Sequence, residues 1–377
     1  MAVNKNQHYV PQFYQRRFSD DGKNVGAYLV DQLKSIPQAP IKSQASADYF
    51  YTSDTAKPEN VEKAFSGIEG IANEIMQKLD ANHRTPLSKE ESFSLYTFTI
   101  LQLGRTLSPV QDTREMANMM LRKVLKIQVE ISKNSDNPEL ADLKDIPDDV
   151  IDSITLTDEA AKKLTLGSHL QMLPICIDLK SKVLINETAT PFITSDNPVC
   201  VYNPFMEKMN YPLNGLGARG AIIYFPLSPK LALFIYDDNV YKVGNRKQSY
   251  AELHNANDIQ ELNKLSIVNC NQVIYYQPSL TNTSTLERLS GNVKPIREQA
   301  PVQDISGVMA GSGNEVIGAT NNPYWCRLRL EFLKYWGAYA YLTPDTFDQA
   351  KHRFREIAYH KDELIEEFFG KKIKKRK

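Results

Sequence analysis

The sequence predicts an α+β fold, and three features carry that prediction. From about residue 58 to 175 the apolar residues recur at steps of three and four, the helical period. Before that block, and again from about 181 to 278, short aromatic and β-branched runs are cut by Pro, Gly and Asn. The order is strands, helices, strands and a helix, without the regular βαβ alternation of a doubly wound sheet. The expected architecture is a helical block packed on a mostly antiparallel sheet of N-terminal strands and strands in 181–278, plus a C-terminal helix. Residues 7–278 read as a single core domain, and 279–377 as an extension with an amphipathic helix and a basic tail.

The elements follow in order. "NVGAYLVD" and "ADYFYT" read as strands. From Pro58 to Leu79 a stripe runs through Val61, Phe65, Ile68, Ala72, Ile75 and Leu79, with Pro58 in the first turn of that helix. Ser88 and Glu91 stand at the spacing of a capping box for the next helix. That helix, "FSLYTFTILQLGR", is apolar on nearly every face and is expected to be buried, with Pro109 interrupting or ending it. "VQDTREMANMMLRKVLKIQVEIS" is a third helix, its stripe through Met116, Met119, Met120, Val124 and Ile127. The segment around "NPELADLKDIPDDV" reads as a loop or short-helix linker, and Thr157 as the N-cap of a further helix. "SKVLINE", "PFITSD", "AIIYFPLS", "LALFIYD" and "QVIYYQ" read as strands, with one helix expected over Tyr250–Ile267. Ser306 to Pro323 reads as a loop. A final amphipathic helix is expected from Thr343 to Phe369, with Pro344 in its first turn and Gly370 as its cap.

Composition bounds the function. The 377 residues are 42% apolar and 24% charged, ordinary for a globular chain. No apolar run is long enough for a membrane span, and the N-terminus lacks the apolar core of a signal peptide. Cys176, Cys200, Cys270 and Cys326 form no CxxC pair, so a cytoplasmic chain with reduced thiols is expected. Net charge is zero but uneven. Lys371–Lys377 holds six Lys or Arg, while Asn134–Glu159 holds nine acidic residues and one lysine. Such a tail either contacts nucleic acid or nucleotide phosphates or is a solvated end.

Several reaction classes drop out. Gly215–Gly220, "GLGARG", matches G-x-G-x-x-G, but a strand rather than a helix follows it, so no helix N-terminus faces a pyrophosphate. It reads as a turn. Walker A, HExxH, GxSxG and zinc-type Cys/His patterns are absent from the sequence.

What remains is a set of polar residues in costly places. Gln102 and Arg105 lie three apart on the apolar helix and share a face with Phe98. A buried arginine needs a partner, and Glu62 and Glu69 of the preceding helix are the candidates. Either this is a buried pair fixing helix register, or the carboxylate and arginine bind phosphate or a metal at a rim. "PFITSDNPV" carries Ser195, Asp196 and Asn197 at a strand end. They form a self-bonded turn, or they reach a cleft where Asp196 ligates a metal or orients His8 and Ser195 binds an anion. In "NQHYVPQFYQRRF", Pro11 stiffens the turn after His8, and Phe13, Tyr14 and Phe18 can anchor the segment, leaving Gln12, Arg16 and Arg17 polar. "YFPLSPKLALFIYD", with Ser228 between Pro226 and Pro229, reads as a structural turn.

Together "HYVPQFYQRRF", "YFYTSD…VEKAFSGIE", "LQLGRT", "FITSDNPV" and "FPLSP", in that order, resemble a widespread bacterial family, domain-of-unknown-function family four-two-three-eight. The resemblance runs from about Gln7 to Gln277, with Gln15 where the family usually has leucine. It implies no activity. It implies only that His8, Pro11, Gln12, Glu69, Gln102, Arg105, Ser195, Asp196, Asn197, Pro198 and Ser228 belong to the family's signature.

The expected site is a cleft between the helical block and the sheet, with His8 delivered by the N-terminal arm. The expected reaction is phosphodiester hydrolysis by a nuclease-like or nucleotide-hydrolysing enzyme, an anti-phage defence effector by analogy. His8, Asp196, Glu69 and Arg105 take the catalytic roles, with Gln12, Gln102, Ser195 and Asn197 on the substrate. His8, Glu69 and Asp196 are candidate ligands for Mg²⁺ or Mn²⁺, and Arg105 clamps developing charge. The rival expectation is a non-enzymatic module for a small ligand or partner protein, with the same residues as a dry, mutually satisfied network and apolar surface exposed elsewhere.

Overall fold

A computed structural model describes residues 6–48, 59–135, 137–299, 302–304, 306, 319–321, 325–360 and 363–364. The basic tail Lys371–Lys377 and the side chains of Val61 and Glu62 lie outside the described residues.

The arm opens with β1 (Asn6–His8) and α1 (Gln12–Arg16), followed by β2 (Asn24–Leu29), β3 (Lys34–Pro40) and β4 (Ser46–Asp48). Four helices follow: α2 (Glu59–Ala81), α3 (Lys89–Gly104), α4 (Leu107–Lys133) and the short α5 (Asp148–Ser153). After α6 (Asp158–Leu170) come β5 (Lys180–Asn186), β6 (Thr194–Ser195), β7 (Cys200–Tyr202) and α7 (Pro204–Lys208). The chain continues through β8 (Ile222–Pro226), β9 (Leu231–Tyr236), β10 (Tyr241–Val243), β11 (Tyr250–Leu253), α8 (Ala256–Asn269), β12 (Val273–Tyr276) and α9 (Thr283–Arg297). Three short strands close the count: β13 (Val302–Asp304), β14 (Ala319–Asn321) and β15 (Leu333–Tyr335).

Two sheets form the frame. One has five strands in the order β11-β5-β9-β8-β7 and is antiparallel except where β11 meets β5. The other has four antiparallel strands in the order β3-β2-β12-β6, so the first hairpin of the chain pairs with a strand about 250 residues later. The apolar runs "AIIYFPLS" and "LALFIYD" are unbroken because both sheet faces are covered. Ile223, Phe225, Leu231, Leu233 and Ile235 join one core with α1, α2 and α3, while Tyr224, Ala232, Phe234 and Tyr236 join a second with α8 and α9. This is the α+β architecture that the sequence predicts.

Local signals set the helix starts. Ser88 accepts from the Glu91 amide at 3.1 Å while Glu91 accepts from the Ser88 amide at 2.7 Å, a complete capping box. Thr157 accepts from the Ala160 amide and caps α6. Pro109 sits in the first turn of α4 rather than at the end of α3, which stops at Gly104. At "GLGARG", Gly220 has φ +76°, and a Cβ there would lie 2.6 Å from that of Phe205. The segment is a turn feeding β8.

Three expectations need correction. The helix over Tyr250–Ile267 begins only at Ala256, capped by Asn255, because Tyr250–Leu253 pairs in parallel with β5. The helix over Thr343–Phe369 is broken in its described part into short turns at 344–346, 349–352 and 356–359. There the chain is drawn inward. The Arg355 amide bonds the Gly217 carbonyl at 3.0 Å, and its buried guanidinium bonds the Ile175 and Leu216 carbonyls and Asp178. Within the expected loop Ser306–Pro323, Ala319–Asn321 pairs with β13 as β14. The third helix is present as α4, and of its stripe Met120, Val124 and Ile127 are exposed, whereas Val110, Val129 and Ser132 are buried. The acidic segment wraps against α4, with Asp152 on Lys126, Asp158 on Arg114 and the Ile154 carbonyl on Arg122.

Asp112, in the first turns of α4, is pushed up to about 6, first by burial and then by the Glu115 charge. Its folded carboxyl thus keeps a proton to higher pH than the unfolded value of about 3.9, and its contribution to stability falls as pH rises between the two. Asp112→Asn is expected to raise the urea midpoint near neutral pH and leave it unchanged near pH ~4. Equal midpoints at both would refute this.

Candidate functional site

The arm is fixed from both sides. His8 pairs with Ser46 across β1 and β4, and its ring bonds two groups: Nδ1 lies 3.0 Å from the Gln44 carbonyl, and Nε2 lies 2.8 Å from Gln12 Nε2. The Gln12 amide nitrogen donates, because its oxygen accepts from Arg16 at 2.9 Å. Nε2 of His8 therefore accepts and Nδ1 carries the proton. The one basic lone pair of the neutral imidazole is occupied. Burial lowers the His8 pKa, against the raising influences of the Gln44 carbonyl and the nearby Glu69 charge. Arg17 clamps α1 to α2 through two bonds to Asp80, at 2.7 and 2.8 Å, and donates to the Leu227 carbonyl at 2.6 Å.

Behind the arm lies the α3 terminus. Gln102 donates to the Tyr9 carbonyl at 2.9 Å and accepts from Arg105 Nε at 2.8 Å. Arg105 is 1% exposed, donates to Glu69 at 2.7 Å and lies over the rings of Phe65 and Phe98. Glu69 is one of the two carboxylates that the sequence offered as partners. Its side chain is 26% exposed, so the ion pair starts in the core and ends at the surface. Gly104 permits this packing: a Cβ there would stand 2.7 Å from that of His169 on α6. Gly104→Ala is expected to cost about 1–3 kcal/mol through overpacking, and an unchanged urea midpoint would contradict it.

The strand-end triplet is bonded inward. Both Asp196 carboxylate oxygens accept from backbone: Asn271 at 2.8 Å on one, Gln272 at 2.8 Å and Val273 at 3.1 Å on the other. Arg297 holds the same turn by its carbonyls, Cys270 at 2.6 Å and Asn271 at 2.9 Å. Burial pushes Asp196 up to about 6, with the three amides and the Arg297 charge pulling the other way. Ser195 accepts from the Asn197 amide at 3.1 Å, the self-bonded turn of a Ser-Asp-Asn-Pro stretch. Asn197 accepts from Thr106 at 2.6 Å and donates to the Asn269 carbonyl at 2.9 Å. Ser228 accepts from the Lys230 and Leu231 amides, a structural turn.

So the structure forms two bonded groups, His8 with Gln12 and Glu69 with Arg105 and Gln102, which meet where Gln102 holds the carbonyl of Tyr9, the residue after His8. It joins Asn197 to the second group through Thr106, the residue after Arg105. Asp196 faces the 271–273 turn and makes no hydrogen bond to His8; Tyr9, the residue after His8, has its phenol raised by burial and by the Asp196 charge. Among the described residues no three His, Cys, Asp or Glu side chains are placed to hold a metal ion. Sequence reasoning missed Thr106, Asn269 and Arg297. Thr106 closes the motif "LQLGRT" and was within reach; the other two have no local signal. Clefts of about 600, 500 and 130 Å³ lie along α4, beside β10 and β11, and between α8 and α9, away from this network.

The model of one family, described as protein of unknown function (DUF4238), matches residues 6–279. The chain belongs to that family. No curated protein and no solved structure matches it. The DUF4238 span contains the residues from His8 in the arm to Asn269 at the end of α8, while Arg297, which holds the Asp196 turn, lies beyond it. No described helix is long and apolar enough to cross a membrane.

Proposed function

We propose that this chain is a binding module, and that the signature residues form a dry brace tying the arm, the helical block and the sheet together. One observation carries the reading: Arg105 is 1% exposed and its bonds go to Glu69 and Gln102. A clamp on developing charge has to reach substrate, and a general base needs a free lone pair. Arg105 is enclosed and His8 Nε2 is bonded to Gln12. The exposed apolar surface on α4 fits a protein that works by contact.

The second reading is phosphodiester hydrolysis in a defence setting, with nucleic acid or nucleotide as substrate. It is favoured by His8 being only half-buried, with the partly exposed Glu69 carboxylate close enough to act on its charge. In that reading His8, Glu69 and Asp196 remain the metal candidates. Wild type and His8→Ala, incubated with RNA, DNA and nucleotides in Mg²⁺, Mn²⁺ or EDTA, separate the two. The binding module gives no turnover in either protein and a lower melting temperature in the variant. Turnover by wild type that His8→Ala loses, with melting unchanged, would overturn the proposal.

A further inference from the structure

Lys242 of β10 and Lys334 of β15 stand directly opposite each other in their antiparallel pair. That register sets their Cβ atoms about 5 Å apart on one face, where like charges repel. Both side chains are exposed, and both line the cleft of about 500 Å³ beside β11. A third lysine lies beneath the lining. Lys182 of β5 is 1% exposed, and its ammonium donates to the Asn245 carbonyl at 2.5 Å. The same ammonium is 4.0 Å from where a Cβ on Gly244 would stand, and Gly244 and Asn245 both line the cleft. Among the described residues none of the three lysines has a carboxylate within ion-pair distance; Lys242 lies 5.9 Å from the Trp336 ring centre. Burial, and then the Lys180 charge, lower the Lys182 pKa to about 8.

The acids at the cleft are largely engaged. Glu252 takes two bonds from Arg84, at 2.5 and 2.8 Å. Asp258 feels the Lys334 charge, but it is buried and accepts from the Glu331 amide at 2.6 Å. Glu331 remains as the exposed acid in the lining. Three lysines against one open carboxylate repel one another and favour an anion placed among them.

We infer that this cleft binds a phosphate-bearing small ligand, with its phosphate among Lys182, Lys242 and Lys334. Lysine meets phosphate as a point charge, and three ammoniums suit the two charges of a phosphate monoester better than the single charge of a carboxylate. The cleft is in the size range of small-ligand pockets and larger than inorganic phosphate fills. Tyr250 and Phe332 in its lining give the rest of the ligand an apolar wall. The cleft shares no residue with the brace, so the inference goes beyond the reading above and neither one depends on the other.

Calorimetric titration of the full chain with AMP, glycerol phosphate and inorganic phosphate, at fixed ionic strength and with adenosine as the uncharged control, tests this. The expected result is binding of AMP at millimolar concentration or below, weaker binding of the other two phosphates and none of adenosine. The Lys242→Gln/Lys334→Gln double variant is expected to bind AMP about tenfold more weakly. Glu331→Gln, which removes the opposing charge, is expected to bind it more tightly, and serves if the double variant folds poorly. Urea unfolding gives a second readout. Without ligand the double variant is expected to unfold no earlier than wild type, because the cross-strand repulsion is gone. With AMP the wild-type midpoint rises and that of the double variant does not. No binding of any of the three phosphates at millimolar concentration overturns the inference. Equal binding by wild type, the double variant and Glu331→Gln also overturns it, since the phosphate would then lie elsewhere. Adenosine binding as tightly as AMP overturns it too, because the three lysines would then contribute nothing.

Discussion

Replacing Arg105 with methionine is expected to lower the unfolding free energy by about 3 kcal/mol. Methionine keeps much of the volume and the contact with Phe65 and Phe98 but none of the polar bonds. Breaking a buried ion pair costs about 3–5 kcal/mol when the orphaned charge stays in the core. Here the partner left behind, Glu69, is 26% exposed and can rehydrate, which places the loss at the low end. Gln102 adds to it, because its oxygen loses the Arg105 donor while its nitrogen still holds the Tyr9 carbonyl. A urea midpoint within error of wild type would show that Arg105 does not brace the fold.

Asp196→Ala is the second large effect, and its size should depend on pH. The variant leaves three backbone donors, at Asn271, Gln272 and Val273, without their acceptor. At about 1 kcal/mol each the loss is about 3 kcal/mol. Against this stands the charge. Asp196 is raised to about 6 by burial, so above that pH the wild type carries an ionised carboxylate that burial disfavours. The folded state binds the extra proton between about pH 4, the unfolded value, and about 6. Wild-type stability from this group therefore rises as pH falls through 6. Alanine has no such dependence. The variant is expected to lose about 3 kcal/mol near pH ~5 and clearly less near pH ~8. Urea unfolding of both proteins at the two pH values measures this, and a penalty that grows with pH would reverse the assignment.

What the sequence revealed depended on how local the cause was. The Arg105–Glu69 pair was legible because an arginine on an apolar helix must find a carboxylate, and the previous helix offered two. The caps at Ser88 and Thr157 were legible because each is closed within three residues. The partners of Asp196 were not, since the amides it accepts from lie 75 to 77 residues away and amides leave no residue-type signal. The partners of His8, expected as general base or metal ligand, were not legible either, because a backbone carbonyl and a glutamine four residues on carry no distinctive residue-type signal. The α4 stripe shows a different limit. Periodicity finds an apolar face but does not say which side is buried, and here Val110, Val129 and Ser132 go inward while Met120, Val124 and Ile127 stay exposed. Likewise Tyr250–Leu253 became a strand because β5 offered an open parallel edge, which no local pattern announces.

The central claim is that the DUF4238 signature is a brace, and Arg105→Met tests it most directly when its urea unfolding is measured beside a phosphodiesterase assay of both proteins. The account predicts a loss of about 3 kcal/mol in the variant and no hydrolysis by wild type. An unchanged midpoint in the variant, together with wild-type hydrolysis that the variant lacks, would contradict it and return Arg105 to the chemistry.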